Sequence, residues 1–302
     1  MFRKPPPAYW PWAVLLWVMT GVVAGSAQSH ADGLRPAKSA DDLTLKAELV
    51  KTGLYLISGG GANSLLRLSA NGQILVDGKL PGSYRALMSQ VRKISKLSDL
   101  PLRALIVTDH HEAHTGNNAQ FLAEGVQIIA HENVKRHLAR FTPRGETVAL
   151  PTVTYAQDYR LRLGGVEVQL LHFGNAHTSG DAVVYFPNLK VVAVGDLFTP
   201  DTPDPDFAAG GSLVGWGPVL ADILKLDFDV VVPAMGPVVA RADVETFKSK
   251  IDTLVARATS VVKKDVPKNQ LMAQLNTDDL GWRFDFTGDR LDRFYTELSR
   301  AK

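Results

Sequence analysis

Four short motifs of the sequence combine His, Asp and Gly, and each one follows an apolar, strand-like run. They are TDHHEAHTG at 108–116, NAHTSGD at 175–181, VGDLF at 194–198 and VVVPAMGPV at 230–238. Imidazole and carboxylate groups bind zinc and iron in proteins, so these motifs could supply a metal site. Each motif alone is also compatible with a solvated loop, a turn or a strand end. All four together are more specific and predict one shared site.

The cysteine content limits which kinds of site the chain can build. The 302 residues include eight His and no Cys. The absence of Cys excludes disulfide bonds, thiolate metal ligands, a Cys nucleophile and a lipid-modified Cys. A metal site must therefore consist of His, Asp and Glu. With 45% hydrophobic and 21% charged residues, the chain can bury a full core, and wholesale disorder is not expected.

The motifs must be positioned by strands, and the hydrophobic pattern predicts strands in both halves of the chain. Two β-rich halves, each followed by helices, favour two sheets packed face to face with helices outside. From about residue 241 the pattern is mainly helical, with breaks near 265–267 and within 281–288. The predicted strands are 53–59, 62–69, 73–78, 102–109, 126–130, 166–174, 181–187, 189–198 and 228–234. The predicted helices before residue 241 are 81–97, 117–124, one that begins near Glu132, and 214–226.

The motifs resemble those of the metallo-β-lactamase-fold hydrolase superfamily, over roughly residues 45–300. The family patterns are T-H-x-H-x-D-H-x-G, A-H-T-x-G-D, G-D-x-F and P-G-H-G-P. The resemblance implies an α+β fold, a four-layer αββα sandwich, for a domain at 45–302 whose residues 241–302 are a helical C-terminal extension. It also implies one or two metal ions between the sheets, usually zinc and sometimes iron. Such enzymes use the metal to activate water for attack on an ester, thioester, amide or phosphoester.

Carried over position by position, the resemblance implies a first metal site of Asp109, His111, His177 and Asp196. Asp109 stands where the family has its first His, and Asp196 matches the carboxylate that usually bridges two metals. Two imidazoles and two carboxylates are a reasonable set of ligands for Zn²⁺ or Fe²⁺. The expected cofactor is one zinc ion, with iron as the alternative.

The second metal site of the family is incomplete in this chain. Ala113 stands at the family's Asp position and Met235 at its final His, which leaves His114 and the shared Asp196. A thioether is a poor ligand for zinc, so a second ion is expected to be absent or weakly held. His114 and Asp196 are the predicted catalytic residues, and His114 would face the vacant position as a proton donor or weak metal ligand.

Three residues are predicted to support the metal ligands without binding the ion. Asp77 matches a family position whose Asp supports the metal-binding loop, and an ordinary turn Asp is the alternative. Thr178 and Asp181 are expected to hold the His177 loop by hydrogen bonds.

Other residues near the motifs have weaker interpretations. His110 and Glu112 are interpreted as solvated loop residues, His131 as structural and His137 as exposed on a helix. Two questions stay open: whether His172 lines the site or packs at a strand end, and whether Trp216 lines the site or belongs to the core. The loop at 200–211 is predicted to lie beside the site and to shape substrate entry.

The N-terminus has the layout of a secretory signal peptide. Arg3 and Lys4 precede an apolar run at 13–25, and small residues follow, with cleavage expected after Ala27 or Ala31. A signal peptide at 1–31, a leader at 32–44 and a periplasmic or secreted location are therefore predicted. Residues 8–27 carry no charge and are long enough to span a bilayer, so a retained membrane anchor is the alternative.

The net charge of +2 also originates at the N-terminus. Residues 1–31 contain two basic residues and no acidic one, so the rest of the chain has 31 basic and 31 acidic residues. A neutral protein without a basic patch does not point to nucleic acid. The predicted partner is a small-molecule substrate, and a membrane would be a partner only if the N-terminal anchor is retained.

Three functions remain compatible with the sequence. The first is an exported hydrolase with one metal ion that acts on an ester, thioester or amide. The second is a metal-poor pseudoenzyme that binds a small molecule or partner, motivated by Ala113 and Met235 at two ligand positions. The third is a genuine β-lactamase, which the predicted export would suit, although a fold alone does not identify a substrate.

Overall fold

A computed structural model describes residues 44–96, 100–140 and 149–300 of the protein. The predictions of a signal peptide at 1–31 and of a leader at 32–44 lie outside the described residues, apart from Thr44. Within the described ranges, no helix is both long enough and apolar enough to cross a bilayer.

Two β-sheets form the centre of the described structure. The first sheet contains, from edge to edge, β1 (Lys46–Lys51), β2 (Leu54–Ser58), β3 (Ser64–Ser69), β4 (Gly72–Val76), β5 (Leu102–Val107), β6 (Gln127–His131) and β7 (Val153–Tyr155). The second sheet contains β13 (Val239–Ala240), β12 (Val230–Pro233), β11 (Val191–Gly195), β10 (Val183–Phe186), β9 (Val166–Leu171) and β8 (Asp158–Leu163).

The strand directions bring the motif-bearing strand ends together. Strands β1 to β4 form an antiparallel meander, whereas β4 to β7 are parallel to one another. In the second sheet β11 and β12 are parallel. Because parallel strands end at the same edge, the segments that follow β4 and β5 lie side by side, as do those that follow β11 and β12.

Helices cover the outer face of each sheet. The helices on the first sheet are α1 (Tyr84–Ile94), α3 (Asn118–Ala123) and α4 (Glu132–Arg140). The helices on the second sheet are α5 (Leu213–Ile223), α6 (Arg241–Lys263), α7 (Leu271–Gln274) and α8 (Gly288–Arg300). The short helix α2 (Glu112–Thr115) lies within the first His-rich motif.

Alternation along the strands divides the hydrophobic core into layers. In β10, Val184 and Phe186 face the core between the sheets, whereas Val183 and Tyr185 pack with the helices of the second sheet. Successive side chains of a strand point to opposite faces, so one strand serves both layers. The predicted αββα sandwich with helices at its C-terminal end is therefore confirmed.

The sequence-based prediction missed four strands, which are the four edge strands of the two sheets. In β1 the first four side chains are exposed, and β8 has the sequence DYRLRL, whose charged residues alternate with apolar ones. Edge strands carry charged and exposed residues that protect them from pairing with other chains, so they lack the apolar pattern that identifies central strands. The helix predicted at 81–97 begins three residues later, at Tyr84.

Two histidines pack against each other near the end of β6. The rings of His131 and His172 are stacked with centroids 3.9 Å apart. His131 Nε2 donates to the Ala156 carbonyl at 2.8 Å, and its Nδ1 accepts from the Asn133 N–H at 3.3 Å. His131 is therefore structural, as predicted, and His172 is a packed residue at a strand end.

We expect the unfolding free energy to decrease as the pH falls from about 6.5 to about 4, in part through His131. Burial lowers the pKa of His131 to about 4, whereas an unfolded His titrates near ~6.5. Between these values the unfolded chain takes up a proton that the folded protein does not, which favours unfolding. Urea unfolding across this range should show a shallower pH dependence for His131→Gln than for the wild type. Equal slopes would contradict this role.

Candidate metal centre

The ends of β5 and β11 meet between the two sheets. The Ala182 N–H donates to the Thr108 carbonyl at 2.8 Å, which joins the sheets at this point. Gly195 has a φ of +53°, and a Cβ there would lie 2.8 Å from Thr108 Oγ1. Glycine at this position thus allows the close approach that places Asp196 beside Asp109.

Four side chains converge at this junction. One ligand-type atom from each of Asp109, His111, His177 and Asp196 lies within 4.8 Å of the others. His111 Nδ1 is 3.1 Å from Asp109 Oδ1 and 3.3 Å from His177 Nε2. His177 Nε2 is also 3.5 Å from Asp196 Oδ2. The structure thus brings together the four residues to which the sequence assigned the first metal site.

The chemistry of this cluster fits a divalent cation. Asp109 is 1% exposed, and its Oδ2 has no hydrogen-bond partner among the described residues. A buried carboxylate oxygen without a partner is unfavourable, and a metal ion would satisfy it. Two imidazoles and two carboxylates match the ligand preferences of zinc and iron.

Charges within the cluster keep Asp109 ionised. Burial would raise the pKa of the Asp109 carboxyl, but the neighbouring His114 and His111 hold it well below its ordinary value. Burial would likewise lower the pKa of His111, whereas Asp109 and Asp206 raise it to about 10. Metal ligands must be unprotonated to bind. Asp109 meets this condition directly, and His111 must release a proton when a metal binds.

His114 lies beneath the cluster and joins three carboxylates. Its ring is fully buried, with Nδ1 2.9 Å from Asp77 Oδ2 and Nε2 3.1 Å from Asp196 Oδ2. The same Nε2 is 3.4 Å from Asp109 Oδ2. Burial alone would lower the pKa of His114, but Asp109 and Asp77 raise it well above its ordinary value. Its assignment as a metal ligand and proton donor stays a prediction.

Asp77 supports the first motif from the neighbouring strand end. Its Oδ1 accepts from the Thr108 N–H at 2.9 Å and its Oδ2 from the Thr108 hydroxyl at 2.8 Å. Asp77 also contacts His114 and lies outside the four-residue cluster. These contacts match the supporting position that the sequence predicted for it.

Hydrogen bonds of the imidazole and of the residues that follow it hold the loop that carries His177. His177 Nδ1 donates to the Asp204 carbonyl at 2.8 Å, so Nε2 is left to face the cluster. Thr178 donates through its N–H and its hydroxyl to Asp181 Oδ1, at 3.0 Å and 2.5 Å. Asp181 is buried, and burial raises its pKa to about 7. Thr178 and Asp181 thus brace the loop by hydrogen bonds, and their support of a metal ligand stays a prediction.

A family model of the metallo-beta-lactamase superfamily matches residues 58–235. This span covers more than half of the chain and includes all four residues of the cluster. The chain belongs to the metallo-beta-lactamase superfamily. It is 30% identical over 194 residues to the 2,4-dinitroanisole O-demethylase subunit alpha of Nocardioides sp. (strain JS1661), across 63% of this chain and 57% of that protein. It is 26% identical over 136 residues to metallo-beta-lactamase IND-1 of Chryseobacterium indologenes, across 45% and 54% of the two chains. The chain thus spans little more than half the length of these curated relatives.

Solved structures of the superfamily show the same fold. A metallo-beta-lactamase from Pontibacter korlensis has a TM-score of 0.61 at 19% identity, covering 69% of this chain and 99% of that one. The metallo-beta-lactamase FIM-1 from Pseudomonas aeruginosa, solved in its mono-zinc form, has a TM-score of 0.58 at 18% identity, covering 70% and 96%.

The two altered ligand positions of this superfamily member, Ala113 and Met235, lie on different elements of the fold. Ala113 is in α2, and its carbonyl accepts from the Ala62 N–H at 3.2 Å. Met235 follows β12 and is 55% exposed. Neither side chain offers a good ligand for zinc. These positions therefore leave the second metal site of the superfamily without two of its ligands.

Two predictions about neighbouring histidines are wrong. His110 is not a solvated loop residue, because its side chain is 15% exposed and its ring lies 4.3 Å from that of His111 and 4.7 Å from that of His137. His137 is not simply exposed on its helix, because its Nε2 is 2.9 Å from the Ser179 hydroxyl. Glu112 is exposed, as predicted. The packing of the His110 ring against the rings of His111 and His137 could not be recognised from single residues in the sequence.

Sequence reasoning also missed Asp206, which orients His111. Asp206 Oδ2 accepts from His111 Nε2 at 3.3 Å, and its Oδ1 accepts from the Ala209 N–H at 3.0 Å. Its backbone N–H donates to the His177 carbonyl at 2.8 Å. With Nε2 engaged, Nδ1 of His111 faces the cluster. The pKa of Asp206 lies below its ordinary value. Burial alone would raise this pKa, but the hydrogen bond with His111 outweighs the effect of burial.

The atoms of His110, His111 and Asp206 also lie close enough together to form a second group of three. This group offers one ligand fewer than the four-residue cluster, with which it shares His111. We therefore assign Asp206 to the orientation of His111. The only sequence signal for it was the predicted position of the loop 200–211, which contains three Asp residues.

The Asp206→Asn variant is expected to bind zinc about 10–100-fold more weakly, as is usual for the loss of a group that orients a metal-binding His. Asn can still accept from the Ala209 N–H, so the loop should keep its conformation. Asp201→Asn, an exposed residue of the same loop, is the matched control. Competition with a fluorescent chelator measures the affinity. Equal affinities of the two variants would contradict the orienting role.

Proposed function

We propose that this superfamily member is an exported hydrolase that uses one divalent ion, zinc in the first instance, held by Asp109, His111, His177 and Asp196. The convergence of four ligand atoms within 4.8 Å of one another carries the proposal. Iron is the alternative ion, because the same donors suit it. The proposed substrates are esters, thioesters or amides.

Two of the four side chains, those of His111 and Asp196, are the more exposed ones, and a substrate would approach from their side. His111 is 34% and Asp196 28% exposed, whereas His177 is 14% and Asp109 1% exposed. A divalent ion bound there supplies Lewis acidity and lowers the pKa of a bound water toward ~7. Asp196 is the more exposed carboxylate, so we assign it to orient the attacking water. His114, 3.1 Å from Asp196 Oδ2, holds that carboxylate in place.

The missing second site predicts which substrates are favoured. In a two-metal site the second ion stabilises the leaving group, and Ala113 and Met235 remove two of its ligands. Substrates with good leaving groups, such as aryl esters and thioesters, should therefore react faster than amides. This ranking also makes an efficient β-lactamase the less favoured function.

A hydrolysis panel tests the proposal. The purified mature protein, loaded with zinc, would be assayed with 4-nitrophenyl acetate, an acyl thioester, a penicillin and a carbapenem. We expect turnover of an ester or thioester that falls at least about 100-fold on chelation and returns with zinc. No turnover with any of these, or turnover that a chelator leaves unchanged, would favour the metal-poor pseudoenzyme.

Restoring the two altered positions tests the single-metal part of the proposal. The double variant Ala113→Asp with Met235→His is expected to raise the metal content from one toward two ions per chain, because it supplies a carboxylate and an imidazole at the second site. Elemental analysis after dialysis gives the ratio. A wild type that already holds two ions would contradict the proposal.

A second candidate function comes from the Nocardioides relative, which is 30% identical over 194 residues. By its name, that protein removes the methyl group of an aryl methyl ether. We therefore propose ether cleavage as the second function and include 2,4-dinitroanisole in the panel. Turnover of the anisole without turnover of any ester would favour it.

We base the proposed export on residues 1–31, which have the charge and apolar pattern of a signal peptide. Fractionation of cells that express the full chain should find a shortened protein in the periplasm or medium. Full-length protein in the membrane fraction would instead support a retained anchor.

A further inference from the structure

An apolar pocket of about 280 Å³ is lined in part by residues that follow β11 and β12, and Asp196 is the first residue after β11. Phe198, two residues after Asp196, and Met235 form its near wall. The residue before Met235, Ala234, donates through its N–H to the Gly195 carbonyl at 2.9 Å. Because Gly195 immediately precedes Asp196 and Ala234 immediately precedes Met235, this hydrogen bond joins the backbone that carries the proposed metal ligand to the backbone that lines the pocket.

Polar side chains at the pocket are already engaged within the protein. Asp243 Oδ2 accepts from a backbone N–H at 2.8 Å and the Thr246 hydroxyl donates to a carbonyl of its own helix at 2.9 Å. Lys250 Nζ donates to another carbonyl at 2.9 Å. Each of these groups is thus oriented by a contact within the protein. Most of the other lining residues are apolar, so the surface offered to a ligand is mainly apolar.

Three aromatic rings line the pocket, those of Phe198, Phe247 and Trp282. The ring of Phe247 lies 5.2 Å from that of Phe198 and 5.4 Å from that of Trp282, at steep interplanar angles. Aromatic rings favour edge-to-face contacts with one another, and the flexible thioether of Met235 adapts to a flat ring. The volume is just below that of typical pockets for larger ligands, which suits a single ring with small substituents.

We propose that this pocket holds an aromatic group of the substrate whose reacting group lies at the four-residue cluster. Met235 stands where the superfamily pattern has a metal-binding His, and here its 55% exposed side chain serves as a pocket wall instead. The change that removes the second metal ligand thus also creates an apolar contact for the ring. That the ring belongs to a substrate rests on the proposed hydrolase function, whereas the binding of an aromatic ring in the pocket does not depend on it.

Methyl NMR tests ring binding without metal or turnover. In the full chain labelled with ¹³C at the methionine methyl groups, the Met235 resonance is identified by its loss in Met235→Leu. Addition of 4-methylphenol should shift this resonance saturably, while those of Met88 and Met272, which do not line the pocket, stay in place. No saturable shift at Met235, or equal shifts at all three, would overturn the proposal.

A variant that fills the pocket with a large side chain tests whether ring binding there contributes to ester hydrolysis. Thr246 is exposed on α6 and lines the pocket, so Thr246→Trp should fill it without disturbing the core. We expect this variant to lose the Met235 shift and to raise KM for phenyl acetate about tenfold, with methyl acetate unaffected. Thr253→Trp, on the same helix outside the pocket, is the matched control and should match the wild type. An equal response of both variants would contradict the pocket.

The two experiments separate this inference from the proposed function. Saturable binding of 4-methylphenol without turnover of either ester would leave the pocket standing and reject the hydrolase. Turnover of esters without any preference for phenyl acetate over methyl acetate would reject the pocket and leave the hydrolase standing.

Discussion

His177→Ala is expected to abolish stoichiometric zinc binding and to lower ester hydrolysis by about 1000-fold or more. The Nε2 of His177 faces the cluster, 3.3 Å from His111 Nδ1 and 3.5 Å from Asp196 Oδ2. A small side chain there removes one of two imidazoles, and the remaining donors cannot complete a four-ligand site. Loss of a direct ligand should exceed the roughly 10–100-fold effect of losing a supporting group. Elemental analysis and the aryl-ester assay measure the two effects.

The matched control for this prediction is His137→Ala. His137 is also half-buried near the site, but its Nε2 contacts the Ser179 hydroxyl instead of the cluster. This variant should keep its zinc and most of its activity. Full zinc occupancy in His177→Ala, or equal zinc loss in both variants, would contradict the assigned set of ligands. Circular dichroism would show that both variants are folded.

His114→Ala is expected to destabilise the metal-free protein by about 3–5 kcal/mol, the range found when one partner of a buried ion pair is removed. The imidazole is fully buried and lies within 3.4 Å of oxygens of Asp77, Asp109 and Asp196. Without its charge, two buried carboxylates and a third, partly exposed one would lie close together. Urea unfolding in the presence of a chelator measures the change.

Two further variants make this second prediction decisive even if His114→Ala folds poorly. His110→Ala is the control, since burial lowers the pKa of His110 to about 4 and it pairs with no buried carboxylate. Its loss should be clearly smaller, of the order of 1 kcal/mol. Asp77→Asn should recover part of the stability of His114→Ala, because the two residues interact directly. Equal losses for the two His variants, without recovery, would contradict the role of His114.

The resemblance of four short motifs to family patterns implied the proposed ligand residues, and three of these residues lie just after a central strand. Asp109 and His111 follow β5, and Asp196 follows β11. Central strands are identified by continuous apolar runs, so the positions of their carboxyl ends were predictable. His177, in the loop between β9 and β10, was placed by its motif.

The orienting residue and the edge strands could not be predicted in this way. Asp206 reaches His111 from 95 positions further along the chain, and it follows no strand and belongs to no motif. The sequence alone could not decide among the three Asp residues of its loop. Strands β1 and β8 at the sheet edges carry too many exposed or charged residues to show the apolar pattern of central strands.

One role of Met235 could be predicted from the sequence and another could not. Its position in the fourth motif was enough to predict an incomplete second metal site. Met235 lines the pocket together with Phe198 and Trp282, which are 84 positions apart in the sequence. These residues come together only in the folded chain. A substrate-side role for Met235 therefore required the packing of α6 and the C-terminal segment against β11 and β12.

The metal content of the purified protein, measured together with X-ray absorption at the zinc edge, tests the single-metal site most directly. We expect one ion per chain, with a shell of two imidazole nitrogens and carboxylate oxygens. We also expect His177→Ala to lack this signal. Two ions per chain in the wild type, or no bound metal after exposure to zinc and iron, would contradict it.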